Sequence, residues 1–485
     1  MRPSPASPTL DDPAVARLSE VLGGPGGLHA RGRWWTPLVV GCLLAGFLVA
    51  LGAGLRAGCS TDGWTADSPQ FAPGCFSALP HAYVAGGGAE GAWPYGERVG
   101  DPSATPPAGE APARYTVDGT QALAGATYLH AALASFVAPG ADVREERAGL
   151  PLADLYRDHD VRAEAAATVL WAAVLVGLAA MLVVLVVARV RPLRAWDGVL
   201  VAASPLLVVA ALVDVGLVGV ALAAGALLAV RRGQALAAGL MLGAAVTLTW
   251  AAWLVLAGLL VALAARALAR DTAARTPGAD PLTLVLVTAL TWLAVSLPAL
   301  VTGAGVWRAG WRAALDDAAG TGSVRWIGTA AGGGELPAYP LVALVVLALW
   351  IGAVAVLAFR APRPPRPEQA VLLVVVAGAV LFAAGPGDVL VVLPFAVLAR
   401  PRLEPLLTWQ AVELAHAAVL WWTTTGALAS GSTTNDAPLA ALTALRVVAL
   451  LALAGWVVRD VAMPSRDPIG EERQLTSVRS NAVAV

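Results

Sequence analysis

The sequence predicts an all-α polytopic membrane protein, with about 12 transmembrane helices and a large first extracytoplasmic loop carrying surface helices. Three observations lead there. Hydrophobic residues make up 58% of the 485 and charged residues only 13%, against about 25% charged in an ordinary soluble domain. Long stretches carry almost no charge, and a run of roughly 20 such residues crosses the hydrocarbon as a helix, because only internally bonded backbone can lie in lipid. Between these stretches sit short arginine clusters, which set the orientation.

Taken in order, the apolar stretches are Trp35–Leu55, Ala165–Val190, Asp197–Val230, Ala235–Leu268, Leu282–Val301, Tyr339–Phe359, Ala370–Ala399, Leu406–Ala427 and Leu439–Val458. Trp35–Leu55 is too long for a removable signal peptide and lacks a small-residue cleavage site, so it reads as a retained span. Arg31 and Arg33 precede it. Further clusters follow at Arg189–Arg194, Arg231–Arg232, Arg266–Arg275, Arg360–Arg366, Arg400–Arg402 and Arg459–Arg466. Placing all of them in the cytoplasm requires Asp197–Val230, Ala235–Leu268 and Ala370–Ala399 to be pairs of short helices. Both termini are then cytoplasmic in a multi-pass plasma-membrane protein. Residues 1–33 and 461–485 read as disordered tails around a transmembrane domain of residues 34–460. Every basic residue is arginine, and the net charge is −1. The arginines form no continuous basic face, which excludes a nucleic-acid partner and leaves membrane lipids as the surroundings.

The large insertion, residues 56–164, falls outside the cytoplasm on this topology. It holds Cys59 and Cys75, and an oxidising exterior permits a disulfide between them. Such a bridge closes about 17 residues and contributes ~3 kcal/mol in the chain-entropy model. Within the insertion, Gly119–Val137 is apolar enough to resemble a span. Counting it as one would put Arg189–Arg194 outside, so it reads as a helix lying on the membrane surface. A second outer loop covers residues 302–337.

Several local strings resemble a known family. In the first loop they are Cys59, Trp64, Cys75-Phe76-Ser77 and Gly91-Ala92-Trp93-Pro94-Tyr95. Further on come Ser204-Pro205, Val213–Leu222, Gly239–Gly243, Leu393-Pro394, Ala396–Arg402 and Trp409–Glu413. Their order, in a chain with one span, a large outer loop and then many short spans, resembles the glycosyltransferase C superfamily, and more closely the actinobacterial family-87 membrane mannosyltransferases. The resemblance implies a glycosyltransferase-C-like fold. It implies transfer of a hexose, mannose above all, from a polyprenyl-phosphate-linked sugar donor to a lipid or glycan acceptor of the cell envelope, with no cofactor. The chain also departs from the pattern. Relatives carry Asp where Ala78 stands, and Val-Glu-Tyr-Pro where this chain has Val117-Asp118-Gly119-Thr120. Their Asn-Trp-Asp is Asp214-Val215-Gly216 here, their Lys-x-x-Pro is lost near Thr247–Trp250, and Gly385-Pro386-Gly387-Asp388 replaces Ser-Pro-Gln-Tyr. A catalytically inactive member of the same fold, binding lipid or a partner protein, is the alternative.

Transfer of this kind needs a carboxylate to deprotonate the acceptor hydroxyl, donors to stabilise the departing phosphate, and aromatic groups to hold sugar. Asp118 is the first candidate base, although Asp also favours helix N-caps. Asp214 is the second, and Asp388 a substrate contact, because ionisable groups inside membrane segments are costly and mark function. For phosphate the second outer loop offers Arg308, Arg312 and Arg325 with Trp326 beside them. His81, Trp93 and Tyr95 are candidate sugar contacts. Asp158-His159-Asp160 reads as an ordinary charged segment, and no metal site is expected. Glu413 and His416, three residues apart, are expected to pair on one helix face.

Overall fold

The computed structural model describes residues 36–57, 75–96, 99–100, 113–268, 279–316, 320–330, 338–382, 385, 387–425 and 436–469. The tail of residues 1–33 and Cys59 lie outside them. The described chain is almost wholly helical, as the composition predicts, with a single two-residue parallel pairing, β1 (Val99–Gly100) with β2 (Tyr115–Thr116).

Five helices are long and apolar enough to cross a membrane. They are α1 (Pro37–Ala57), α6 (His159–Val190), α12 (Pro281–Asp316), α14 (Tyr339–Arg360) and α18 (Ala437–Ala462). Each has a face of exposed leucine and valine, as Leu43, Leu170, Leu290, Leu349 and Val448 illustrate. In water such faces would be a liability; against lipid tails they are matched.

The expected doublets are broken helices. Asp197–Val230 splits into α7 (Asp197–Ala202), α8 (Leu206–Ala210) and α9 (Gly216–Arg231). Ala235–Leu268 splits into α10 (Ala235–Val246) and α11 (Ala251–Ala267), and Ala370–Ala399 into α15 (Pro367–Phe382) and α16 (Val392–Ala399). At 1.5 Å per residue, the 12 residues of α10 span only about 18 Å, well short of the hydrocarbon thickness. Burial explains how such short helices are tolerated. Every residue of α16 is buried, as is every residue of α15 from Pro367 to Ala379. Helices apolar all round belong inside a bundle, and irregular backbone at membrane depth survives only where protein covers it.

The turns that break the first two of these doublets meet the first loop at one end of the bundle. This loop folds as α2 (Ala78–Ala85), a 3-10 turn (Gly119–Ala122), α3 (Ala124–Ser135), α4 (Ala141–Ala148) and α5 (Leu152–Arg157). The expected surface helix Gly119–Val137 is thus two pieces, split at Leu123. The lid supplies hydrogen bonds to the broken backbone: Ser77 Oγ donates to Leu212 O (2.7 Å), Ala78 N to Val213 O (2.8 Å) and Ala126 N to Thr247 O (3.0 Å). Arg56, buried at the end of α1, donates to the carbonyls of Val208 (3.1 Å), Val209 (2.8 Å) and Phe76 (3.1 Å). A small apolar core of Leu79, Leu133, Ala172 and Val215 seals the join.

The opposite end holds the arginines. α6 runs 32 residues, about 48 Å, from the lid at His159 to Arg189 in its last turn. Beyond it, Glu368 is fully buried and meets Arg191 (3.0 Å), Arg231 (3.0 Å) and Arg366 (3.4 Å). Arg400 pairs with Asp460, and Arg366 also meets Asp467 (3.1 Å). The ordered chain therefore runs past residue 461, through a 3-10 turn (Pro464–Arg466) to a buried Ile469.

The segment expected as a second outer loop, residues 302–337, begins as helix. α12 does not stop at 302. It bends at Gly303 (φ −160°, ψ 53°) and continues as helix to Asp316. A Cβ at 303 would collide with the backbone carbonyl of Tyr95, so glycine is required by close approach. Gly303→Val is expected to destabilise the protein by ~1–3 kcal/mol through overpacking. An unchanged thermal melting profile in detergent would refute that account.

Candidate functional site

Within the lid lies an open-mouthed cavity of about 420 Å³, lined wholly by residues of the first loop. Its walls come from α2, the glycine turn after it, the strand-to-turn segment Thr116–Thr120, α3, and Arg144 of α4. Local chemistry places each wall. Ser77 caps α2 through the Leu79 N–H (3.4 Å). Gly87 (φ 78°) and Gly91 (φ 66°) take left-handed backbone, which glycine adopts without strain. They turn the chain so that Trp93 reaches the cavity. Asp118 and Gln121 form a capping box, each side chain accepting from the other's end of the turn. The lid is fastened to α6 by Arg147–Glu164 (2.7 Å) and by Tyr83 Oη donating to Glu164 (2.7 Å).

The groups facing the cavity are an acid, two imidazoles, a guanidinium and an indole: Asp118, His81, His130, Arg144 and Trp93. Asp118 is exposed at the rim. Its Oδ1 accepts from Thr120 N (2.7 Å) and from the Thr120 hydroxyl. His81 Nδ1 lies 3.1 Å from Tyr156 Oη, with the rings stacked. Trp93 is 41% exposed, stacks on Tyr128 with centroids 5.6 Å apart, and donates its indole N–H to Thr302 Oγ1 (2.8 Å). An indole and a carboxylate on the same cavity suit a sugar. Burial pushes the His130 imidazole down to about 4, against the opposing pull of the Asp118 charge. His130 is therefore neutral at pH 7.

The sequence-predicted residues separate into three groups. Asp118, His81 and Trp93 line the cavity together. Asp214 and Asp388 are brought together elsewhere, in the turns that break two doublets; the Asp388 charge acts on Asp214, and Gly387 packs against the Asp214 carboxylate. Asp214 Oδ1 accepts from the Gly216 N–H (2.7 Å), a capping role for α9, and Asp388 accepts from Gly385 N (3.0 Å). Neither lines the cavity.

The remaining candidates stand apart from the cavity walls. Tyr95 is 1% exposed and donates to Gln121 O (2.8 Å), so it packs beneath the lid and is closed to sugar. Arg308 and Arg312 are exposed on α12 past its bend, and Arg325 stacks 5.4 Å over the Tyr339 ring; with Trp326 they stand outside the cavity walls. Cys75 is disulfide-bonded, and Cys42 is free. Asp158 caps α6 through Asp160 N (2.7 Å) and Val161 N (3.0 Å). Among the described residues no group of His, Cys, Asp and Glu could hold a metal ion.

Glu413 does not pair with His416. On α17 (Leu403–Thr424) it accepts from Arg446 Nε of α18 (2.8 Å) and from Trp409 Nε1 (3.0 Å), while His416 Nε2 meets Thr443 Oγ1 (3.2 Å). A fully buried arginine, permanently charged, is the stronger partner for the carboxylate.

Sequence reasoning missed His130 and Arg144. No local signal marks them. His130 sits in an apolar helix, and Arg144 among the ordinary surface charges Asp142–Arg147. Only the fold of the lid brings them to one cavity.

No family model, curated protein or solved structure matches the chain.

Proposed function

We propose that the chain is an integral-membrane glycosyltransferase-like protein of about 12 passes, with both termini in the cytoplasm and the lid on the outer face. It transfers a hexose, mannose in the closest reading, from a polyprenyl-phosphate carrier to a cell-envelope lipid or glycan. The observation that carries this is the joint presence of Asp118, Trp93 and Arg144 on one open cavity within the first loop, at the end of the bundle opposite the arginine network. A carboxylate within reach of an acceptor hydroxyl acts as general base. An aromatic face holds a sugar ring, and a guanidinium takes phosphate. The order of motifs along the chain supports the same reading.

The roles follow from the geometry. Asp118 Oδ1 is fixed by Thr120, which holds the carboxylate in one orientation and leaves Oδ2 for the acceptor proton. Trp93, held by Thr302 and Tyr128, positions the sugar. Asp214 and Asp388 shape the turns beneath the lid.

Asp118→Asn is the clean test, because Asn caps a helix as well as Asp does but cannot accept a proton. Purified variant supplied with a polyprenyl-phosphate hexose and a lipid acceptor is expected to transfer sugar at least ~100-fold more slowly than wild type, with an unchanged melting temperature. Equal rates for the two proteins would remove Asp118 from the chemistry. No turnover by the intact wild-type chain would remove the transferase itself.

One observation favours a second reading. Asp118 already serves as a helix cap, and Arg308, Arg312 and Arg325 stand away from the cavity. A non-catalytic member that binds lipid or a partner in the same cavity fits this, and predicts a bound ligand without a transferred sugar.

A further inference from the structure

At the end of α18 two arginines share one acid. Arg459 lies in the last turn of that helix, and Arg400 follows the end of α16. Arg400 pairs with Asp460 Oδ2, whereas Arg459 Nη2 reaches Asp460 Oδ1 only at 3.5 Å, the limit of a hydrogen bond. Both guanidiniums lie over the Trp456 ring, 5.0 Å and 4.3 Å from its centroid. The Nε atoms of both arginines have no hydrogen-bond partner among the described residues. Neighbouring acids are already engaged: Glu368 serves three arginines, and Asp467 accepts from Arg366 (3.1 Å). Two permanently charged guanidiniums against one carboxylate leave an excess of positive charge.

The members of this group differ in access. Asp460 is fully buried and Arg400 is nearly so, whereas Arg459 is 28% exposed and Trp456 is open beside it. The outward side is therefore an indole and a guanidinium, with the acid beneath. Arg459 stands about 33 Å along α18 from Ala437, at the edge of a hydrocarbon layer about 30 Å thick. Leu445, Val448, Ala452, Trp456 and Arg459 recur at intervals of three and four residues, which sets them on one side of the helix. The first four are exposed, so an apolar strip runs from the guanidinium back along the span. A soluble anion would use the charge alone, whereas the strip fits a hydrocarbon chain.

We infer that this face of α18 binds an acidic phospholipid. Its phosphate is held by the donor fork of Arg459, with the charge of Arg400 beneath, and one acyl chain lies along Leu445–Trp456. A zwitterionic headgroup carries its own cation, which the excess positive charge repels, so the site selects for net negative charge. It lies at the end of the bundle opposite the first-loop cavity and stands whether or not the chain transfers sugar.

The test is tryptophan fluorescence of the full chain in nanodiscs, titrated with phosphatidylglycerol or phosphatidylcholine brominated high on the acyl chain. Bromine quenches an indole on contact. Phosphatidylglycerol is expected to quench at the lower mole fraction, and Trp456→Phe removes that excess quenching. Arg459→Gln is expected to reduce the preference for phosphatidylglycerol roughly tenfold, the loss of one charge-assisted contact. Arg459→Lys recovers part of it. Arg363→Gln, at an exposed arginine in the turn before α15, leaves the preference unchanged. Equal quenching by the two lipids, an excess that survives Trp456→Phe, or an unchanged preference in folded Arg459→Gln would overturn the inference. An equal loss in Arg363→Gln would also overturn it, by showing diffuse surface charge. Displacement of the lipid by soluble glycerol phosphate would do the same, by showing an anion site that needs no acyl chain.

Discussion

Glu368→Gln is expected to destabilise the protein by about 3–5 kcal/mol, the cost of removing one partner from a buried ionic cluster. Glu368 has no exposed surface and is the common acceptor of Arg191, Arg231 and Arg366. Its loss leaves guanidinium groups facing one another in a poorly solvated space, with repulsion added to desolvation. The position is also favourable for a negative charge, in the first turn of α15 where the helix dipole is positive. Arg231→Gln is the informative contrast. That side chain is 25% exposed, and Glu368 keeps two other arginines, so the expected loss is about 1 kcal/mol or less. Thermal melting in detergent, followed by size-exclusion profile, reads both. Similar melting temperatures for the two variants would show that Glu368 is not the centre of the network.

Arg446→Met is expected to cost a comparable amount, about 3–5 kcal/mol. The substitution roughly keeps the volume but leaves Glu413 ionisable and unpaired, 2% exposed, in the interior of α17 and α18. It also releases Gly322, whose carbonyl accepts from Arg446 Nη1 and so ties the second outer loop to α18. The double variant Glu413→Gln with Arg446→Met removes both charges. It is expected to be more stable than Arg446→Met alone, because the uncompensated charge is gone, with a coupling energy of roughly 0.5–3 kcal/mol. A double variant whose loss equals the sum of the single losses would mean the two residues act independently. The ion pair would then be incidental to stability.

These two clusters also mark the boundary of what the chain reveals on inspection. Hydropathy is a local property, so the apolar stretches and the breaks within Asp197–Val230, Ala235–Leu268 and Ala370–Ala399 were all readable from order and composition. Arginine placement was readable for the same reason, since each cluster sits at the end of its own stretch. The partner of Glu413 was not. Proximity along α17 pointed to His416, whereas Arg446 lies 33 residues away on the next helix. α12 beyond residue 302 was hidden by its own composition, because Trp307, Arg308, Trp311 and Arg312 break the apolar pattern while the helix continues past the Gly303 bend.

The candidate site divides in the same way. Asp118, His81 and Trp93, candidates by residue type and position in the first loop, do come to one cavity. Tyr95 belongs to the same string as Trp93, yet it is buried with its hydroxyl donating to Gln121 O while Trp93 is 41% exposed, a difference set by the packing of the loop.

By itself the sequence determined that this is a helical protein of the membrane, where its helices break, and which of its loops is long enough to cover one end. The tertiary structure alone decided that two of the breaks meet that loop, that one acid shares a cavity with Arg144 and His130, and that buried arginines choose distant carboxylates. The physical reason is range. Solvation and backbone bonding act within a few residues, whereas pairing of charges and closure of a cavity depend on segments that meet only after the chain has packed.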